Sequence, residues 1–185
     1  MVTQIKPGQA YAQITLERGE KALVRGPTWN DLDDLTEYIN ALVHERAEIT
    51  KAEPVKREEE AEWLGQRLSD IENGSVIMLV AEVNQKVVGV GEVSVFEGER
   101  SHTGYLGIGV AKNERRLGLG MAMMIALLEL SKRAGLKIVI LDVFATNTAA
   151  IKLYEKVGFK EAGRITKGVL RDGQYIDLVR MTIEL

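Results

Sequence analysis

The 185-residue chain contains no cysteine. That excludes disulfides, thiolate metal sites and a cysteine nucleophile together, and it fits a reducing compartment. No apolar run approaches the ~20 residues of a membrane-spanning helix; the longest strongly apolar stretch is Met121 to Leu128. The segment Met1 to Ala10 is polar and lacks the apolar core of a secretion signal. Positive charge is not in surplus: the net charge is −3, which speaks against a bulk nucleic-acid partner. Repeats, low-complexity tracts and interdomain linkers are also missing. The expectation is a soluble, cytoplasmic protein with no metal site, no membrane partner and no nucleic-acid partner.

What is present begins with size. A chain of this length favours one domain and can bury roughly 70% of its unfolded surface without covalent staples. Its charge is uneven. Between Asn30 and Asn73 stand 13 acidic and 5 basic residues, a net of −8, which leaves +5 for the rest of a chain at −3. Such a split suits two solvated faces, or one site for a cation and another for a polyanion.

Periodicity and turn residues give the elements. Ala10–Leu16 and Lys21–Arg25 read as short strands. Thr28 caps a helix, with Asp31 three residues on, close to a capping box. Leu32, Leu35, Ile39 and Leu42 form that helix's apolar stripe. A second helix spans Arg57–Glu72, with Trp63, Leu64, Leu68 and Ile71 inward. Val76–Val83 and Val87–Phe96 make a hairpin about Asn84-Gln85-Lys86. Thr103–Val110 is a glycine-rich strand, Leu119–Ala134 a helix closed by Gly135, and Ile138–Phe144 an apolar strand covered on both faces. A helix over Asn147–Val157 ends at Gly158, and strands Lys160–Leu170 and Gln174–Glu184 flank a hairpin turn at Arg171-Asp172-Gly173. Together these predict an α/β (α+β) domain: a mixed sheet with helices on both faces.

Arg115-Arg116-Leu117-Gly118-Leu119-Gly120 lies between a strand and a long helix. Glycines let backbone approach a bulky anion, and the helix behind them points unpaired N–H groups and a positive dipole end at the loop. The combination suits a pyrophosphate. A P-loop would require Gly-Lys-Ser/Thr, which is absent, and Met123 occupies the place of the third glycine of a dinucleotide fingerprint. A tight strand–helix turn with solvated arginines would explain the hexapeptide alone.

Three ordered motifs decide for more than that. Arg115-x-x-Gly118-x-Gly120 resembles the acetyl-CoA loop of the GNAT acetyltransferases, Leu106-Gly107-Ile108-Gly109-Val110 the strand leading into it, and Asn147, Ala150, Leu153, Tyr154, Gly158 and Phe159 the family's second motif. The segment Asp172–Asp177 followed by Met181 is similar to the subgroup of ribosomal-protein N-terminal and small-amine acetyltransferases.

The resemblance implies a mostly antiparallel seven-stranded sheet, splayed between its fourth and fifth core strands. Residues 20–185 would form one acetyltransferase domain, and 1–19 an extension with an optional extra strand. Pantetheine would lie along the backbone of Ile108, Gly109 and Val110. The pyrophosphate would meet the N–H groups of Arg116, Leu117, Gly118, Leu119, Gly120 and Met121, with charge from Arg115 and Arg116 and, more weakly, Lys112. Asn147 would contact the cofactor, and Tyr154 would serve as general acid to the departing thiolate. For the base, His102 falls where some relatives place a glutamate; Glu92 and Glu97, acting through water, are the alternatives. A backbone N–H, that of Val110, would meet the oxyanion.

The acceptor is expected to be a primary amine, of a protein N-terminus, a polyamine or another cationic small molecule, that attacks acetyl-CoA directly in a ternary complex. The acidic third, including Glu58, Glu59 and Glu60, favours a cationic one; the plainer explanation of those glutamates is a solvated helix start stabilised by the helix dipole. A homodimer is compatible with the resemblance, and a non-catalytic acyl-CoA sensor or a longer-chain acyltransferase are the competing functions.

Overall fold

A computed structural model describes residues 5–185. Its strands are β1 (Ala10–Thr15), β2 (Lys21–Arg25), β3 (Val76–Val83), β4 (Lys86–Val95), β5 (Thr103–Val110), β6 (Ile138–Phe144), β7 (Lys160–Arg171) and β8 (Gln174–Glu184). Its helices are α1 (Leu32–His44), α2 (Arg57–Asn73), α3 (Leu119–Arg133) and α4 (Thr148–Val157). The strands form one sheet in the order β1-β2-β3-β4-β5-β6-β8-β7. Every neighbouring pair is antiparallel except β5 and β6. The expected mixed sheet is present, and its eighth strand is the optional one of the N-terminal extension, added antiparallel to β2.

Local chemistry accounts for the elements. The β3–β4 hairpin turns at Asn84 and Gln85, both at positive φ (51° and 64°), the twist that suits a two-residue turn. Thr28 donates its N–H to Asp31 across a short 3₁₀ turn (Trp29–Asp31) that precedes α1. Arg25 clamps the Asp31 carboxylate with two N–H groups (2.9 and 2.6 Å). Burial alone would raise the Asp31 carboxyl, but Arg25 and the Thr28 N–H outweigh it and hold it below the usual carboxylate range. The start of α1 is thereby fixed to β2. Within α1 the inward residue is Tyr38 rather than Ile39, which is half-buried; both lie on the edge of the same helical stripe, and the larger ring takes the space over the sheet.

Helix α3 lies on one face, with Met123, Met124 and Leu127 completely buried. Gly91 sits beneath it, its missing side chain occupied by Leu127 at 2.7 Å from where a Cβ would stand. Alternate residues of β4 and β5 point the other way. Tyr38 on α1 closes over Gly109, and Arg67 on α2 reaches Glu92, so α1 and α2 cover that second face.

The sheet opens between β5 and β6. Their parallel pairing runs only from Thr103↔Ile138 to Tyr105↔Ile140. Beyond it, Leu106 to Val110 pair with β4 alone, and Leu141 to Phe144 with β8 alone. Helices α3 and α4 begin just after the diverging ends of these strands, so two helix N-termini flank the wedge.

Candidate active site

The loop on the β5 side of the wedge is an array of unpaired donors. Arg116 (φ 62°) and Gly118 (φ 87°) both take left-handed backbone, and Gly118 caps α3. The first backbone bond of the helix is Ala122 N–H to Gly118 O, at 3.1 Å. Among the described residues, no N–H from Arg116 to Met121 meets a backbone or side-chain acceptor. A Cβ added at Gly118 would meet nothing within 4 Å, which leaves open space over the loop. Leu119 is fully buried and anchors the helix start. This donor array suits a polyphosphate.

The two arginines of the loop divide. Arg115 gives its Nε–H to Val110 O at 2.8 Å and pairs with Glu45 just past α1. In this structure its exposed guanidinium is thus engaged by the protein's own groups. Arg116 is exposed, with no ion pair or hydrogen bond to its guanidinium among the described residues, and so remains available to a phosphate, as does exposed Lys112.

On the β6 side, Asn147 caps α4, its Oδ1 accepting the Ala150 N–H at 3.1 Å. Tyr154 lies two turns on, 8% exposed, its ring inclined against Phe159 with centroids 6.0 Å apart. Its hydroxyl has no hydrogen-bond partner among the described residues, and burial pushes the phenol up to about 12. A phenol so placed stays protonated at neutral pH and has a donor to offer.

The other face of the wedge carries the second half of the site. Gly107 faces Glu92 across β4 and β5, two residues beyond the last β6-paired residue. A Cβ at Gly107 would meet nothing within 4 Å, so a hole opens beside Glu92. Two residues along, a Cβ at Gly109 would stand 2.5 Å from the Tyr38 hydroxyl, and only glycine admits that ring. Burial pushes the Glu92 carboxyl up, opposed by Arg67. Arg67 Nε lies 3.0 Å from Glu92 Oε2, an ion pair by distance, but the N–H is not aimed at the oxygen and neither atom is hydrogen-bonded. Arg67 also holds Asp70 at 3.0 Å.

His102 does not reach this place. It is exposed, and its carbonyl accepts the Lys137 and Ile138 N–H groups at the closed end of the β5–β6 pair. Six residues of extended strand, roughly 20 Å, separate it from Ile108. Glu97 is exposed in the turn after β4 and equally remote.

Part of the acidic third is neutralised by pairing. Asp31 is held by Arg25, Asp33 by Arg57, Asp34 by Lys86, and Glu45 by Arg115. Glu58, Glu59 and Glu60 do not form one patch. Glu58 is exposed, Glu59 caps α2 by accepting the Lys56 N–H at 2.8 Å, and Glu60 turns inward to 6% exposure, where burial raises its carboxyl. Among the described residues, no group of three or more His, Cys, Asp or Glu is arranged to hold a metal ion, and no helix is long and apolar enough to cross a membrane.

A splayed parallel pair, an unpaired N–H array on one side and an unpartnered buried phenol on the other recur in one group of proteins. The family model of the acetyltransferase (GNAT) family matches residues 39–159. The chain belongs to the GNAT acetyltransferases.

Within this family it is similar to an L-methionine sulfoximine/L-methionine sulfone acetyltransferase of Pseudomonas aeruginosa, 26% identical over 170 residues that cover 89% of this chain and 95% of that protein. It is 34% identical over 119 residues to the L-amino acid N-acetyltransferase AaaT of Escherichia coli, covering 63% of this chain and 72% of the relative. Among solved structures, a ribosomal-protein-alanine N-acetyltransferase from Brucella melitensis superposes with a TM-score of 0.79 at 30% identity, over 88% of this chain and 99% of that one.

Two features of the GNAT site escaped the sequence reading. One is Gly107 beside Glu92; two glycines at i and i+2 of a strand share a face, which is a signal of close approach or open space on that side. The other is the set of ties that hold the loop between α1 and α2, a loop that the family resemblance itself puts on the acceptor side. Arg171 gives N–H groups to the carbonyls of Arg46, Ala47 and Ile49 (3.3, 3.0 and 2.7 Å), Arg46 pairs with Asp172, and Glu48 accepts from Thr146. With Glu45 on Arg115, this loop is tied to both sides of the wedge.

Proposed function

We propose that this GNAT protein transfers the acetyl group of acetyl-CoA to the primary amine of a small acceptor, an L-amino acid or close analogue, by direct attack while both substrates are bound. The observation that carries the reading is the wedge itself, with a donor array for a polyphosphate on one side and open space beside a carboxylate on the other. The N–H groups from Arg116 to Met121, with Arg116, would hold the pyrophosphate. The free edge of β5 at Ile108, Gly109 and Val110 would align pantetheine as an added strand, and the Tyr154 hydroxyl would face the sulfur. Glu92 would draw the proton from the amine, directly or through one water. A backbone N–H at Val110, whose carbonyl is already engaged by Arg115, would meet the oxyanion.

A small acceptor is favoured by the tied α1–α2 loop and by two relatives, one named for methionine sulfoximine and methionine sulfone and the other for L-amino acids. A protein N-terminus is the second reading, favoured by the ribosomal-protein-alanine acetyltransferase at 30% identity; it would require the loop to move aside. Comparing kcat/KM for L-amino acids, a polyamine and N-terminal peptides tests the choice. Amino acids should lead. Turnover of peptides or polyamines with amino acids inert would reject the reading.

Two substitutions probe the two sides. Gly118→Val forces a β-branched residue into left-handed backbone, which costs about 1–3 kcal/mol, and fills the open space over the loop. Acetyl-CoA affinity by calorimetry should fall about ten-fold or more with the fold retained; unchanged affinity would place the pyrophosphate elsewhere. Arg171→Ala frees the α1–α2 loop from the β7–β8 hairpin. KM for the amine should rise about ten-fold, as for the loss of one or two charge-assisted hydrogen bonds, while KM for acetyl-CoA stays put. Equal rises in both would make Arg171 a general stability residue.

A further inference from the structure

Glu92 stands on β4 between Met78 of β3 and Gly107 of β5, neither of them charged. The charges that act on its carboxyl both come from α2. Arg67 favours the ionised form and Asp70 opposes it. The two lie one helical turn apart and are paired with each other at 3.0 Å.

The guanidinium of Arg67 is shared unequally between the two carboxylates. Its Nη1–H donates to Asp70 Oδ2, while Asp70 Oδ1 accepts from Gln66 Nε2 at 2.8 Å, so Asp70 is held by both oxygens. The Trp63 ring, one turn back on α2, lies 5.8 Å from the guanidinium carbon and steadies it further. Toward Glu92 the same group offers only Nε, 3.0 Å from Oε2, with its N–H turned off the oxygen. Both of those atoms are sealed from solvent and neither is hydrogen-bonded. Leaving a buried donor and a buried acceptor unpaired at contact distance is costly, and the contact that holds the donor off line is the one to Asp70.

We propose that Asp70 positions Arg67 so that Glu92 has a cation beside it yet keeps its lone pairs for the acceptor's proton. The inference rests on Glu92 as the base and says what fits a buried glutamate for that role. Burial alone favours the protonated carboxyl, which can take up no further proton. An aligned bond from Arg67 would keep the carboxylate ionised but would occupy its oxygen and weaken it as a base. A cation at 3.0 Å and off line does the first without the second, because Coulomb attraction needs no angle and a hydrogen bond does. Glu92 Oε1 is neither sealed nor hydrogen-bonded among the described residues, and it is the oxygen left for the amine. The proton passes from the ammonium nitrogen to that oxygen, and the nitrogen keeps the electron pair that attacks the acetyl carbonyl. Arg67 and Asp70 act through Glu92 and are positioning residues.

The test is a carbon-13 NMR titration of the full-length protein labelled at its glutamate carboxyls, the Glu92 signal being the one that Glu92→Gln removes. Arg67→Gln should move the Glu92 midpoint up by about one to three pH units, the usual effect of losing an opposite charge at this range. Asp70→Asn, nearly isosteric, removes a like charge and frees Arg67 to align on Glu92, so the midpoint should move down. Steady-state kinetics of the same proteins with acetyl-CoA and L-methionine sulfone, an acceptor of the class proposed above, read the consequence. At neutral pH both variants should lose about ten-fold in kcat/KM, the Asn variant because a charge-assisted hydrogen bond must now break before Glu92 can act. Alkaline buffer should restore Arg67→Gln, whose carboxyl then ionises, and should leave Asp70→Asn slow. Midpoints that move the same way in the two variants, or an Asp70→Asn midpoint that stays in place, would overturn the positioning role. Wild-type turnover in Glu92→Gln would instead reject Glu92 as the base, and this inference with it.

Discussion

Glu92→Gln is expected to lower kcat by about 100- to 10,000-fold, the range that general base catalysis typically contributes. The carboxylate stands opposite Gly107, beside the open hole and past the last β5–β6 pair. An acceptor amine reaches the protein as an ammonium ion and must lose a proton before it attacks. Burial raises the Glu92 carboxyl above its ordinary value, which makes its carboxylate a stronger base than a solvated one. The low-pH limb of kcat/KM should consequently lie above the usual glutamate range and vanish in the variant. Stability should move the other way. A carboxyl whose folded pKa is raised stabilises the fold when protonated, at pH below its unfolded value, and that contribution is lost as pH rises through the folded pKa. At neutral pH the neutral glutamine removes a charge that burial penalises, and Arg67 keeps Asp70, so Tm should not fall. His102→Gln serves as the control and should leave kcat unchanged, since the side chain sits at the closed end of the strand pair. A variant at Glu92 with wild-type turnover would return the base to solvent.

Tyr154→Phe should lower kcat by about 10- to 150-fold and leave acetyl-CoA affinity nearly intact. Two effects compete for the estimate. Full proton donation typically contributes about 100- to 10,000-fold, whereas a hydrogen bond to a charged group contributes about 1.5–3 kcal/mol. The phenol, pushed up to about 12 by burial, holds its proton more tightly than a thiol of ordinary pKa about 8.5. The hydrogen bond to the departing sulfur therefore dominates, and the thiolate takes its proton finally from water. The ring stays in place against Phe159, so packing loss is small. Steady-state kinetics with affinity measured separately checks this. Wild-type kcat, where chemistry is shown to limit the rate, would leave Tyr154 as a packing residue.

Local elements were legible in the sequence because their signals are local. Strands β2, β3, β5 and β6 fall on the residues read from apolar runs and turn punctuation, and Gly135 and Gly158 take the left-handed backbone that helix C-termini ask of glycine. The wedge between β5 and β6 leaves no mark in periodicity, since both strands remain apolar along their length; only the family resemblance anticipated it. Charge commitments were the least legible. Arg115 carries no sign of a partner in the sequence, but Glu45, 70 residues away, pairs with it. The run Glu58-Glu59-Glu60 looked like one acidic surface, but helical rotation of about 100° per residue sends its members to solvent, to a cap and to the interior. His102 fell at a plausible distance before Val110 in sequence, yet parallel pairing puts it at the wrong end of the opening.

The central claim is that acetyl passes directly between two substrates held in the one wedge, with no acetylated protein in between. Free thiol and N-acetyl product, followed together from purified protein and acetyl-CoA with and without an L-amino acid, test it most directly. The account predicts that thiol appears only when the amine is present, one N-acetyl product for each thiol. A burst of thiol equal to the protein concentration without amine, or thiol released with no N-acetyl product formed, would contradict it.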